Sequence, residues 1–515
     1  MRVLLRLLFA NAMIAFLATA AHAAWHEARS KHFLIYADLE PAELKAYGER
    51  LERFDQTVRR LRAMDDPELT DAQRLTIYAV NDEVAVSKLA DATGILGFYF
   101  STAGGSYAVV PKRQGWLAQR VQMSASNVFF HEYAHHLQMG SSPVALPAWI
   151  TEGFAEFFST AEVLDNGSVQ VGRPPSWREW SVQKYSGLTM VEMLSGSLRN
   201  MTWRESASLY GRAWLLTHML TFDQNRRGQL QKYVSAIQNG VDALSAAKSA
   251  FGDDLRSVDR DLDQYLRQRT FSTLVVDASA VSPGPVTVRP ASPAKVAAME
   301  IQIRTRCCTS LKDAPGLAAD ARRMSATFGK EAIAQVALSE AELLARNVPA
   351  AEAAALRAVS LDPGLAAAQV ALGRGKMEAG LKAPSATDWK AVRSWFTKAN
   401  RLDPEHAEPL MYFYRTYLYA GAAPTPNAID GLLYAVHLAP RDEDLRIDAV
   451  RQLVVDNKLG EARRMFATSA YYPHSADEWR ARKTVIMDAL QKSDRNTALS
   501  QLDAEQKKRW ADEDE

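Results

Sequence analysis

"NVFFHEYAHHLQMG", running from Asn127 to Gly140, gathers three of the chain's ten histidines, His131, His135 and His136, around Glu132. The spacing decides how the stretch is read. Residues four apart on an α-helix share a face, one turn from each other, so His131 and His135 can offer both imidazoles to one tetrahedral zinc ion. Glu132 then projects beside the ion rather than onto it, where it can hold and deprotonate a water. Val128, Phe129, Phe130 and Leu137 flank the polar residues and seat such a helix against a core.

A structural zinc takes four protein ligands, whereas a catalytic zinc keeps one position for water, so one further ligand is expected. A metzincin-type third histidine is absent, because Gln138 and Ser141 stand where glycine and histidine would be needed. "LPAWITEGFAEFF", Leu146 to Phe158, offers carboxylates instead: Pro147 marks a helix start, and Glu152 and Glu156 fall on one face. His131-Glu132-x-x-His135 followed by Trp149-Ile150-Thr151-Glu152-Gly153-Phe154-Ala155 resembles the gluzincin metallopeptidases, which include thermolysin-like enzymes and the alanyl-aminopeptidase group. Within that clan it is most similar to the bacterial peptidase-MA-like domains, over residues 30 to 270.

The resemblance implies His131, His135 and Glu152 as ligands of a Zn2+ cofactor and Glu132 as the general base that activates a zinc-bound water. It also implies that Glu156, one turn after the ligand, orients a ligating histidine. Gly153 is expected to let this helix approach the helix of His131 closely. His136 has no counterpart and is expected to face solvent or support a ligand. Tyr210, in "SLYGRAWLLTHML" (Ser208 to Leu220), stands at a similar distance along the chain to the tyrosine that donates to the oxyanion in the aminopeptidase branch, with no strict motif around it. Its bland reading is a packed helix tyrosine with its hydroxyl at a polar edge, and His218 is a second candidate for the same task. "TAGGSYAVVP" (Thr102 to Pro111) sits where gluzincins place an edge strand, without the acidic anchor that would bind a substrate amine. That departure points to an endopeptidase holding an extended peptide.

The rest of the chain sets the context. At 515 residues it can bury two or three cores. With 61 Lys and Arg against 60 Asp and Glu the net charge is +1, which gives no field for nucleic acid or an anionic membrane. "MRVLLRLLFANAMIAFLATAAHA" (1–23) has a basic start, an apolar run and an A-x-A end at Ala21 to Ala23, the pattern of a cleaved export signal. The expectation is a periplasmic or secreted protein with no integral membrane segment after its removal. Two cysteines, Cys307 and Cys308, are adjacent; a bond between neighbours is strained, so they are expected to be two incidental or structural thiols.

Strands are expected at His32 to Tyr36, Arg74 to Val80 and Ser106 to Pro111, with a long amphipathic helix carrying Leu44, Leu51, Phe54 and Val58 between the first two. From Ser124 to Leu266 the pattern is mainly helical. Residues 271–305, rich in Val, Ser and Pro around Ser282-Pro283-Gly284-Pro285, read as a β-type connector. Beyond it, "AVSLDPGLAAAQVALG", "ANRLDPEHAEPLMYFY" and "AVHLAPRDEDLRIDAV" share one frame. Their prolines, Pro363, Pro404 and Pro440, lie 41 and 36 residues apart, near the tetratricopeptide period of about 34. Leu338-Ser339 and Leu372-Gly373 occupy the leucine and small-residue pair of that family's first helix, and the segments resemble degenerate tetratricopeptide repeats.

The reading is thus α+β: a signal (1–23), a zincin-like metallopeptidase domain with a small sheet plus helices (24–270), the connector (271–305), and an all-α tetratricopeptide-like superhelix (306–515). Removal of everything from about Pro290 is expected to leave the first domain folded, since repeats contact mainly their neighbours. The expected activity is zinc-dependent hydrolysis of a peptide or protein substrate, with protein partners on the repeats. Two alternatives stand beside it: an idle zinc and repeat scaffold that binds protein partners, or a zinc hydrolase of a cell-wall amide.

Overall fold

A computed structural model describes residues 24–141, 144–184, 188–196, 201–470 and 477–512; the expected export signal, residues 1–23, lies outside the described residues. The architecture is α+β, a mixed sheet with helices followed by a long all-α region of consecutive helices.

Six strands form the main sheet in the order β4-β5-β3-β2-β1-β9: β1 (His26–Arg29), β2 (Phe33–Ala37), β3 (Leu75–Val80), β4 (Phe98–Thr102), β5 (Gly105–Pro111) and β9 (Thr287–Pro290). β2, β3 and β5 run parallel, and β4, β1 and β9 pair antiparallel at the two sides. Strands covered on both faces need apolar residues on both, and β3 is buried at every position. One face, with Phe33, Ile35, Ile77 and Val110, joins the large core containing Leu44, Leu51, Phe54 and Val58 of α1 (Pro41–Arg62). The other, with Tyr36, Tyr78 and Val109, packs on Val86 and Leu89 of α2 (Glu83–Ala90) and on Met299 and Ile303. A smaller sheet, β6 (Glu162–Val163), β7 (Val169–Val171) and β8 (Leu274–Val276), closes the far side of the core.

The 271–305 segment therefore supplies β8 and β9, one strand to each sheet, before it turns helical at Pro293–Ile303. That helix starts because Ser292 caps it, accepting from the Lys295 N–H, and Pro293 fills its first turn. A β-type reading of this segment missed the helix, whose alanines pack tightly in the neighbouring core.

Among the described residues the repeat region runs through eleven helices from Ala314–Thr327 to Arg495–Asp512, each packed chiefly on its sequence neighbours. Pro363, Pro404 and Pro440 lie in the turns between helices, as between Trp389–Leu402 and Ala407–Tyr419. Gly373 is needed where two helices meet, because a Cβ there would stand 2.6 Å from the Phe396 ring. No helix of the described residues is long and apolar enough to cross a membrane.

The cysteines depart from expectation. Cys307 and Cys308 are bonded to each other rather than being two thiols. The π-helical turn Arg304–Cys308 brings the adjacent side chains together, with Cα atoms 3.7 Å apart.

Candidate metal centre

Two helices build the site. The first, α3 (Trp116–Val121) being only a short lead-in, is α4 (Ala125–Ser141); the second is α5 (Ala148–Ser159). At the start of α4, Ser124 and Asn127 cap each other, the Ser124 N–H donating to Asn127 Oδ1 at 2.8 Å and the Asn127 N–H to Ser124 Oγ at 3.1 Å. Asn127 Nδ2 also donates to the Ser159 carbonyl at 2.8 Å, tying the start of α4 to the end of α5. The back of α4 is locked on α1: the Phe130 and Phe54 rings stack at 3.9 Å, and Tyr133 donates to Asp55 at 2.8 Å. Its opposite face is left for the histidines.

His131 Nε2 and His135 Nε2 are 3.1 Å apart, and Glu152 Oε2 is 3.5 Å from each. A tetrahedral zinc with bonds of ~2.0–2.1 Å separates its ligand atoms by about 3.3 Å. The nitrogen, nitrogen and oxygen donors already form such a triangle, so the residues present fit zinc in both chemistry and spacing. His135 and Glu152 are fully buried and His131 nearly so.

Glu156, one turn past Glu152, does not join this triangle. Its Oε1 is 3.7 Å from His131 Nδ1, the nitrogen facing away from the donors. Arg178, at the end of the 3-10 turn Ser176–Arg178, fixes that oxygen by donating from Nε at 2.9 Å and Nη2 at 2.5 Å. The same guanidinium lies 4.4 Å from the centre of the Tyr210 ring. Tyr210 is half-buried, and its ring centre is 6.2 Å from that of His131.

Charge in the site follows from burial and the carboxylates. Burial alone would push His131 down, but Glu152, Glu156 and Glu132 outweigh it and hold His131 above its ordinary value. Burial prevails at His135, which is lowered in spite of Glu152. Burial, with Glu152 next, raises the Tyr210 hydroxyl far above the ordinary tyrosine range despite Arg178, so it remains an O–H donor at neutral pH.

His136 turns away from the donors. Its Nδ1 meets the Tyr99 hydroxyl at 2.9 Å, and burial, followed by Arg441, pushes it down to about 3. His218 lies outside the site. Its Nδ1 meets the Tyr265 hydroxyl at 2.8 Å and its Nε2 the carbonyls of Gly172 and Ser272 at 3.0 and 2.9 Å, which makes it a strut beneath the smaller sheet.

Gly153 also acts differently from expectation. A Cβ there would collide with Thr217 Oγ1 and stand 2.6 Å from the Ala213 carbonyl. The missing side chain thus admits α8 (Trp203–Phe222), the helix of Tyr210, rather than α4; between α5 and α8 lie α6 (Glu179–Lys184) and α7 (Met190–Ser195).

Two arginines here escaped sequence reading. Arg178 comes from a turn with no motif around it, and Arg441 comes from the repeats. Arg441 Nη2 lies 3.6 Å from Glu132 Oε2, and its guanidinium sits 4.4 Å from the centre of the Tyr99 ring. No sequence spacing links residue 441 to residue 132.

No family model and no curated protein matches this chain. Among solved structures, the crystal structure of the yeast Tom70 is similar to it at 12% sequence identity, covering 72% of this chain and 73% of that chain with a TM-score of 0.25.

Proposed function

We propose that this chain is an exported, zinc-dependent peptidase. The observation that carries the reading is the triangle of His131 Nε2, His135 Nε2 and Glu152 Oε2, with edges of 3.1, 3.5 and 3.5 Å, next to a carboxylate, Glu132, that is not part of it. Those three residues would hold the zinc. When bound, it supplies Lewis acidity that polarises a peptide carbonyl and makes water easier to deprotonate.

The chain's own groups do the remaining work. Glu132, partly exposed beside the donors, takes a proton as water oxygen attacks the carbonyl carbon. It then delivers that proton to the amide nitrogen as the C–N bond breaks, leaving a carboxylate product and an amine. Tyr210, protonated because of its burial, donates its hydrogen bond to the developing oxyanion. Glu156, gripped by Arg178, stands against the outer nitrogen of His131 and orients that ring. The N-terminal 1–23 pattern supports export, and the repeats offer surface for a protein partner.

The test uses mature protein beginning at Ala24 and a diverse peptide mixture, with products read by mass spectrometry. Chelator-sensitive cleavage is expected. Glu132→Gln should retain zinc by atomic emission and lose about 10²-fold or more in turnover, since it removes only the base. Equal product from the variant would refute the mechanism. Protein that retains zinc yet cleaves no peptide would leave the scaffold or the cell-wall amide reading.

A further inference from the structure

The mechanism above leaves one contact unexplained: the repeat region reaches the base. We infer that Arg441 is a positioning residue for the Glu132 carboxylate, so that the repeats complete the catalytic site; this rests on the assignment of Glu132 as the base.

Arg441 is placed by contacts independent of Glu132. It follows Pro440 in the turn between helices Pro426–Leu438 and Glu443–Val455. The next residue, Asp442, caps the second helix by accepting the Leu445 N–H at 2.8 Å. The other Asp442 oxygen accepts the Ala103 N–H at 2.6 Å, at the tip of the hairpin of β4 and β5. Ala103 itself is buried in the repeat-region cluster that contains Ala407, Met411, Tyr414 and Leu432. The turn is thus pinned to the sheet before any contact with the site.

The contacts form a closed ring. Glu132 and His136 lie on α4; His136 Nδ1 meets the Tyr99 hydroxyl on β4; the Tyr99 ring carries the Arg441 guanidinium; and Arg441 returns to Glu132, with Nη2 3.6 Å from Oε2. Arg441 Nη1 also approaches the Glu132 carbonyl at 3.5 Å. The Arg441 side chain is 11% exposed and that of Glu132 29%, so water screens the pair less than it would a surface pair. A glutamate on a helix surface has several rotamers. A cation held on one side by an aromatic ring and a capped turn selects among them, and such preorganisation is what a base needs. The other cation at the site, Arg178, is committed to Glu156 and Tyr210. Arg441 also lines a cavity of about 130 Å³ with Tyr99, Ser101, Met139 and Thr468 among others.

The experiment compares the full chain with Arg441→Met, which keeps the apolar stem over Tyr99 but loses the charge, and Arg441→Lys, which restores charge without the planar fork. The first readout is the rate at which a water-soluble carbodiimide with an added amine labels Glu132, followed by peptide mapping. Labelling is expected to rise about fivefold to tenfold in Arg441→Met as the carboxylate loses its cover, and to fall back partway in Arg441→Lys. The second is steady-state kinetics on a peptide found above. A fall of about tenfold in kcat with KM within twofold is expected for Arg441→Met, with partial recovery in Arg441→Lys and unchanged zinc content. Unchanged labelling overturns the inference. So does a rise in KM alone, which would make Arg441 a substrate contact, or a rise in kcat, which would make it a latch. If labelling responds but the wild type cleaves no peptide, the positioning of Glu132 stands and the peptidase reading fails. Should Arg441→Met not fold, the lysine variant against wild type gives the same decision from both readouts.

Discussion

Glu152 and Glu156 are one helical turn apart, equally buried, and differently employed. Glu152 Oε2 lies 3.5 Å from both donor nitrogens, whereas Glu156 faces the outer edge of His131 and carries Arg178. Glutamine at each position separates the roles. Glu152→Gln is expected to abolish zinc retention through dialysis, and Glu156→Gln to weaken zinc affinity by roughly 10- to 100-fold; competition with a chromogenic chelator measures both, and the reverse order would exchange their roles. That His131 and His135 share one face was legible in the sequence because a helix converts a spacing of four into shared direction. The arginines were not: Arg178 and Arg441 arrive from turns, where no periodicity records which way a side chain leaves the chain. Cys307 and Cys308 show the same limit, since adjacency argued against a bond that a local π-helical turn allows.

At the scale of elements, the seat of α5 is decided by a single absent side chain. Gly153 faces Ala213 and Thr217 of α8 without room for a methyl group. Gly153→Ala is expected to part the two helices, cost about 1–3 kcal/mol of stability by overpacking, and loosen zinc as well, because Glu152 is the residue before it. Thermal melting with and without added zinc tests this, and a variant of wild-type stability and affinity would show that the helices separate freely. The central strands were readable from sequence, since β2, β3 and β5 are short apolar runs between turn signals. β1 and β4 were not, and β9 was readable only as part of the β-type segment 271–305, without its partner. "HEAR" and "TVRP" are polar side strands whose pairing depends on partners far away in sequence. "FYFST" of β4 is half-buried throughout and shows no clean alternation. The repeats were legible from their prolines, which stop one helix and admit the next.

For the whole molecule, the expectation that residues from Pro290 onward are dispensable meets a sheet face that they cover. A fragment ending at Pro290 lacks Met299 and Ile303, the apolar lid over Tyr36, Tyr78 and Val109, and is expected to aggregate. A fragment ending at Lys312 keeps that helix and should remain soluble with near-native circular dichroism, while its turnover falls to the level of Arg441→Met. Equal solubility of the two fragments would show the lid to be unnecessary. Export processing is the remaining expectation: intact-mass measurement from the envelope of an expressing bacterium should find the chain starting at Ala24, and a start at Met1 would point to a retained anchor.

The hairpin tip at Ala103 amounts to a tethered competitor. Held there by its own sheet, it already fills its seat among the repeat helices, so a segment from another protein seeking that seat must displace it. Displacement would break the Asp442 contact and draw Arg441 away from Glu132 in one motion. A partner that takes the seat would therefore slow turnover by relaxing the base, a kinetic effect that need not be returned as a change in the partner's Kd.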